Sequence, residues 1–185
     1  MNIEDIKVLK HEKTKYQKFF KDVRVLELGL RNINGSVREC FDNCKVVGVD
    51  WIDGKDVDVV CKFTDTNLKV NSFDILISYS TWEHDPYWKE SISHNIPFIK
   101  SGGMVFFSWA LPGSSEHGLH YSADIKGEPT GAFTPAAEIT NKDPIGGYYP
   151  KSIDEISRFL ESVGVSVIGN LTSPISIGYI TGVKK

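Results

Sequence analysis

Val23-Arg24-Val25-Leu26-Glu27-Leu28-Gly29, followed by Lys45-Val46-Val47-Gly48-Val49-Asp50, is the stretch that decides the fold. Each run is almost continuously apolar and β-branched, and each stops abruptly, the first on a glycine and the second on an acid. Runs of this kind suit strands buried on both faces, as in a parallel sheet, better than the alternation of a half-exposed strand. Between them, Asn34-Gly35-Ser36 predicts a helix reaching about Asn43, with Asn34 or Ser36 as N-cap. Further strands are predicted at Val57–Cys61, Phe73–Ser78 and Met104–Trp109. Residues 3–21 space Ile3, Ile6, Leu9, Tyr16 and Phe20 as an amphipathic helix. Asp85-Pro86 reads as an acidic N-cap with proline in the first turn of a helix running to about Lys100, which Ser101-Gly102-Gly103 ends. Ser152-Ile153-Asp154-Glu155 is a capping box that opens a helix closed by Gly164. Val165–Ile168 and Ile175–Val183 are the last strands, separated by Gly169-Asn170 and a turn at Thr172–Pro174. The link from Val49-Asp50 to Val57 is short for a parallel return, which normally needs a dozen or more residues. Extended, it still reaches about 20 Å.

The chain has 185 residues, 41% hydrophobic and 24% charged, with a net charge of −3. That is enough for one self-sufficient core, and a single domain spanning 1–185 is expected. The charge disfavours nucleic acid as partner, because phosphate binding needs a basic field. No apolar run approaches the roughly 20 residues that span a bilayer, and the first ten residues have no apolar core of the signal-peptide kind. The three cysteines, Cys40, Cys44 and Cys61, form no metal-ligand pattern and read as reduced thiols of a cytoplasmic protein. Residues 111–150 hold 6 of the 16 glycines and 5 of the 8 prolines, which marks them as a long loop of functional rather than scaffold character.

In an open α/β sheet, ligands lie beyond the carboxyl ends of the strands. Asp50 lies 21 residues after Gly29, where a two-oxygen acceptor suits the vicinal hydroxyls of a ribose. A dinucleotide fold would also need Gly-x-Gly-x-x-Gly, but the second and third glycine positions are Arg31 and Asn34. A side chain at Arg31 blocks the backbone approach of a pyrophosphate. The ligand expected here therefore has a ribose without a pyrophosphate in this loop.

Five pieces stand in order: Val25-Leu26-Glu27-Leu28-Gly29, Val47-Gly48-Val49-Asp50, Phe73-Asp74-Ile75-Leu76-Ile77-Ser78, Glu83-His84-Asp85 and Lys100-Ser101-Gly102-Gly103. Together they resemble the class I S-adenosylmethionine-dependent methyltransferases, and within them small-molecule enzymes with a Leu-Glu-His-type motif after the fourth strand. The resemblance implies a doubly wound, Rossmann-like α/β domain whose mostly parallel, seven-stranded sheet has its last strand antiparallel. It divides the chain into an N-terminal helix (1–21), a cofactor half (22–110), a substrate or lid loop (111–150) and a closing helix with two strands (151–185). It also implies S-adenosylmethionine as cofactor, with Gly29 and Leu30 against its methionine part and Glu27 orienting its ammonium end. In the same carry-over Asp50 holds the ribose, Trp51 lies on the adenine face, and Ser78 and Tyr79 line the far wall. Lys62 stands where the family often has an acid for the adenine amino group, a role Asp65 can take instead. Arg31 is added on chemical grounds, since a guanidinium can pair with the cofactor carboxylate.

Methyl transfer from a sulfonium is an in-line displacement in which the protein supplies orientation and, where needed, a base. Histidine suits that base best near neutral pH, and His84, His117 and His120 are the candidates. His117 and His120 alone lack the further ligands of a metal site, so no metal is expected. Tyr121, Tyr148 and Tyr149 would give a partly aromatic, partly polar pocket for a small polar acceptor, which Tyr87 or Trp88 could also face. Two other readings compete: a methyltransferase-fold binding protein without activity, and a nicotinamide-dependent oxidoreductase. The expected assembly is a monomer or homodimer.

Overall fold

The computed structural model describes residues 3–30, 32, 35–115 and 148–185. Their centre is one seven-stranded sheet made of β1 (Arg24–Leu28), β2 (Lys45–Asp50), β3 (Val59–Val60), β4 (Phe73–Ser78), β5 (Ile99–Ala110), β6 (Val165–Thr172) and β7 (Ile177–Lys184), in the order β3-β2-β1-β4-β5-β7-β6. The pairs from β3 to β5 are parallel; β7 runs antiparallel to both β5 and β6. The helices are α1 (Ile3–Lys15), α2 (Trp88–Asn95) and α3 (Ile153–Ser162).

The continuous apolar runs are used as the two-sided burial predicts. Leu26, Leu76, Val105 and Phe107 point to one face, where Ile92 of α2 and Ile156 and Leu160 of α3 cover them. Val25, Ile75, Ile77 and Phe106 point to the other, against Leu9 of α1, Phe20 and Phe41. Successive residues of one strand thus feed opposite cores.

Several boundaries differ from the sequence reading. The helix predicted from residue 34 to 43 is a single 3-10 turn, Val37–Cys40, with the Ser36 hydroxyl accepting from the Arg38 N–H. Val37 and Cys40 sink into the core beside Phe41, and Asn43 turns at φ 51, so the chain is already committed to β2 at Lys45. The third strand shrinks to Val59–Val60, and this resolves the short link. So brief a parallel pairing needs no crossover helix, because Asp58 anchors the return. Its carboxylate accepts from the Gly48 N–H at 2.7 Å, and its own N–H reaches the Gly48 carbonyl at 2.9 Å. Ser101-Gly102-Gly103 lies inside β5 instead of ending a helix. The ladder with β4 shifts register there, and a Cβ on Gly103 would sit 2.8 Å from the Asp74 carbonyl. The N-terminal helix ends at Lys15, with a 3-10 turn at Gln17–Phe19. The helix predicted from Pro86 begins at Trp88 and gives way at Ile96–Phe98 to a 3-10 turn containing Pro97, while Asp85 still accepts from the Tyr87 N–H. Gly169-Asn170 belongs to β6, which runs on to Thr172. Of the predicted capping box the serine half forms, the Ser152 hydroxyl accepting from the Glu155 N–H at 3.1 Å.

Candidate functional site

The carboxyl ends of β1, β2 and β4 lie side by side, Glu27 in register with Gly48 and Ile77. Gly29 leaves β1 at φ +80, a conformation that L side chains rarely adopt, and donates its N–H to the Val49 carbonyl at 2.9 Å. A Cβ on it would lie 2.1 Å from the Thr81 hydroxyl. Two chains thus meet at this glycine, the β1 turn and the loop after β4. Leu30 follows into the core and fills the space above Gly48, where a Cβ would lie 1.9 Å from its side chain.

Glu27 is 4% exposed, and its Oε2 is buried without a hydrogen-bond partner among the described residues. Burial pushes the carboxyl up to about 8, although the Arg38 guanidinium pulls the other way. A buried, unsatisfied carboxylate oxygen is costly, and a cationic N–H donor would relieve it. On the neighbouring strand, Asp50 accepts from the Ile52 N–H at 3.0 Å and stands half-buried at the rim. Trp51 rests edge-on against Phe63, centroids 5.7 Å apart, and starts an aromatic row that continues through Trp82 to Phe107. Its indole N–H is buried and has no partner among the described residues. Asp65 lies exposed on the 3-10 turn Phe63–Asp65 and accepts from the Thr64 hydroxyl.

Ser78 ends β4 and Tyr79 follows it, and their side chains serve the fold. The Ser78 hydroxyl donates to the Leu28 carbonyl at 2.9 Å. The Tyr79 ring packs edge-on to Tyr179 on the α1 side of the sheet, where burial raises its hydroxyl well above the usual range. His84 closes the 3-10 turn Trp82–His84, its ring 6.0 Å from that of Tyr148. Tyr87 is 36% and Tyr149 42% exposed. Arg31, His117, His120 and Tyr121 lie outside the described residues.

Two groups escaped the sequence reading. Asp5 of α1 is fully buried and accepts from the hydroxyls of Ser80 and Ser108, both at 2.9 Å, which fastens α1 over the ends of β4 and β5. Lys151 is 4% exposed and donates to the Trp82 carbonyl, next to the buried carboxyls of Glu83 and Asp85. No local pattern marks either one. Asp5 looks like an ordinary first-turn acid, and Lys151 merely precedes a helix cap.

Among the described residues no group of three or more His, Cys, Asp or Glu is placed to hold a metal ion. No helix among them is long and apolar enough to cross a membrane. No family model matches this chain, and no curated protein does. Solved structures do match. The 1,6-didemethyltoxoflavin-N1-methyltransferase of Burkholderia thailandensis, solved with 1,6-didemethyltoxoflavin and S-adenosylhomocysteine, superposes at a TM-score of 0.68 and 11% identity, over 98% of this chain and 78% of that one. A SAM-dependent methyltransferase from Aquifex aeolicus matches at 0.64 and 12% identity over 100% of both chains. The phosphoethanolamine N-methyltransferase 2 of Haemonchus contortus, solved with S-adenosyl-L-methionine, matches at 0.58 and 16% identity over 94% of this chain and 52% of its own. The fold is therefore that of the class I methyltransferases, as the five motifs imply.

Proposed function

We propose that the protein is an S-adenosylmethionine-dependent methyltransferase acting on a small, polar acceptor. The observation that carries this reading is Glu27. A buried carboxyl with an unpartnered oxygen, beneath a positive-φ glycine and one strand from Asp50, fits a ligand that has an ammonium at one end and a ribose at the other. The methyltransferase fold and the cofactors held by its solved neighbours support the same choice.

When bound, the cofactor supplies the electrophilic methyl group. Glu27 would take the ammonium, the Gly29 turn would receive the methionine part, and Asp50 would accept from the ribose hydroxyls. Trp51 offers the adenine an aromatic wall, and Asp65, three positions after Lys62, would read its amino group. His84, at the end of the β4 loop, is the candidate base for an acceptor with a bound proton. His117, His120, Tyr121 and the rest of 111–150 would supply acceptor contacts together with Tyr87 and Tyr149.

The test is calorimetric titration with S-adenosylmethionine, followed by measurement of S-adenosylhomocysteine formation across a panel of small polar acceptors. The wild type binds, and Asp50→Ala loses binding. Absence of both heat and thermal shift at saturating cofactor would overturn the assignment. Binding without turnover of any acceptor would favour the inactive binding protein.

A further inference from the structure

Among the described residues Lys151 is the one buried lysine. Its ammonium lies over two aromatic rings, with Nζ 5.6 Å from the centre of the Trp88 ring and 5.8 Å from that of Tyr149. A methionine would fill such a space without the desolvation that burying an ammonium entails. The ammonium donates to two carbonyls from different parts of the chain, Trp82 at 2.7 Å and Tyr149. The link is reinforced on both sides. The Tyr149 N–H donates to the Glu83 carbonyl at 2.6 Å, and the Trp109 indole donates to the Lys151 carbonyl at 2.8 Å. Burial pushes the Lys151 ammonium down to about 8, and Glu83 and Asp85, 1% and 3% exposed, supply a negative field that offsets part of that cost. Residues 148–151 are thereby fastened to the turn that carries His84, and the His84 and Tyr148 rings lie 6.0 Å apart, tilted by 49°.

We propose that Lys151 is a positioning residue. It cross-links the Trp82–Asp85 turn to the Tyr148–Lys151 segment and so fixes the His84–Tyr148 pair as one wall of the acceptor site. That the wall receives an acceptor rests on the methyltransferase reading; the cross-link itself does not.

Three readouts on Lys151→Met and Lys151→Arg test it: hydrogen exchange at the Tyr149 amide, the His84 ring resonances, and S-adenosylmethionine affinity. Lys151→Met, which keeps the stem and removes the donors, lowers protection of the Tyr149 amide by about tenfold or more. It also moves the His84 resonances and leaves cofactor affinity within about twofold. Lys151→Arg, which keeps a charged donor, restores the first two. If an acceptor is turned over, Lys151→Met lowers kcat/KM for that acceptor and leaves KM for the cofactor in place. Wild-type protection and resonances in a folded Lys151→Met protein would overturn the proposal, as would equal disturbance by Lys151→Arg. Should Lys151→Met not fold, Lys151→Gln carries the same comparison with one neutral donor retained. Failure of the wild type to bind cofactor would refute the methyltransferase reading while the exchange and resonance results still decide the cross-link.

Discussion

Cofactor binding should be coupled to a proton through Glu27. Burial raises that carboxyl to about 8, so at pH 7 about nine ligand-free molecules in ten hold it protonated. An ammonium at the unpartnered oxygen requires the carboxylate, and binding must therefore expel the proton. The ionised fraction is about 1% at pH 6 and about 9% at pH 7, which makes the expected gain in affinity about ninefold over that interval. The amino group of the cofactor, with an ordinary pKa of about 7.7–8.0, stays mostly cationic throughout and does not produce this slope. Isothermal titration at the two pH values, each in buffers of different ionisation enthalpy, reads both quantities, and a net of about 0.7–0.8 proton should leave per cofactor at pH 7, about 0.9 from the carboxyl less about 0.1–0.2 taken up by the amino group. Glu27→Gln should bind more weakly and with no slope. A wild-type Kd that is flat from pH 6 to 7, with heats independent of buffer, would refute the reasoning. The same shift governs the stability of the ligand-free protein. The folded carboxyl keeps its proton above its reference value of 4.5, so its contribution is fully present below that value and is lost as pH rises toward 8. The Tm of the wild type should fall across this window relative to that of Glu27→Gln.

Two further substitutions probe the frame around the site. Gly29→Ala places a Cβ at φ +80 and 2.1 Å from the Thr81 hydroxyl, and should destabilise the fold by roughly 2–3 kcal/mol in chemical denaturation while abolishing cofactor binding. A stability within experimental error of wild type would show that the turn can rearrange. Asp5→Ala removes the acceptor of the Ser80 and Ser108 hydroxyls, and should lower stability by roughly 2–4 kcal/mol in the same assay; a loss below about 0.5 kcal/mol would mean that α1 is not held there by its acid.

The sequence by itself determined the elements whose signals are local. Continuous apolar runs gave β1, β2, β4 and the core of β5, because two-sided burial leaves no room for polar alternation. Ser152 and Glu155 marked the start of α3 because a cap is satisfied within four residues. That Glu27, Gly29 and Asp50 share one rim was legible for a related reason, since strand ends next to one another in a parallel sheet bring fixed offsets in sequence together. Where local signals competed with tertiary demands, the structure decided. Ser36 caps as its type suggests, yet the helix after it stops at one turn, because Val37, Cys40 and Phe41 are drawn into the core before a second turn can form. Ser101-Gly102-Gly103 reads as a break, but the β4 pairing on either side of it, Ile99 with Phe73 and Met104 with Ile75, keeps it in a strand, and the missing Cβ of Gly103 admits the bulge. The long-range polar contacts lay furthest from sequence. Asp5 meets Ser108 across 103 positions and Lys151 meets Trp82 across 69. A hydrogen bond has no period along the chain, so only the closed sheet, by placing α1 and the 148–151 segment over the same strand ends, could say which acid and which lysine would be buried there.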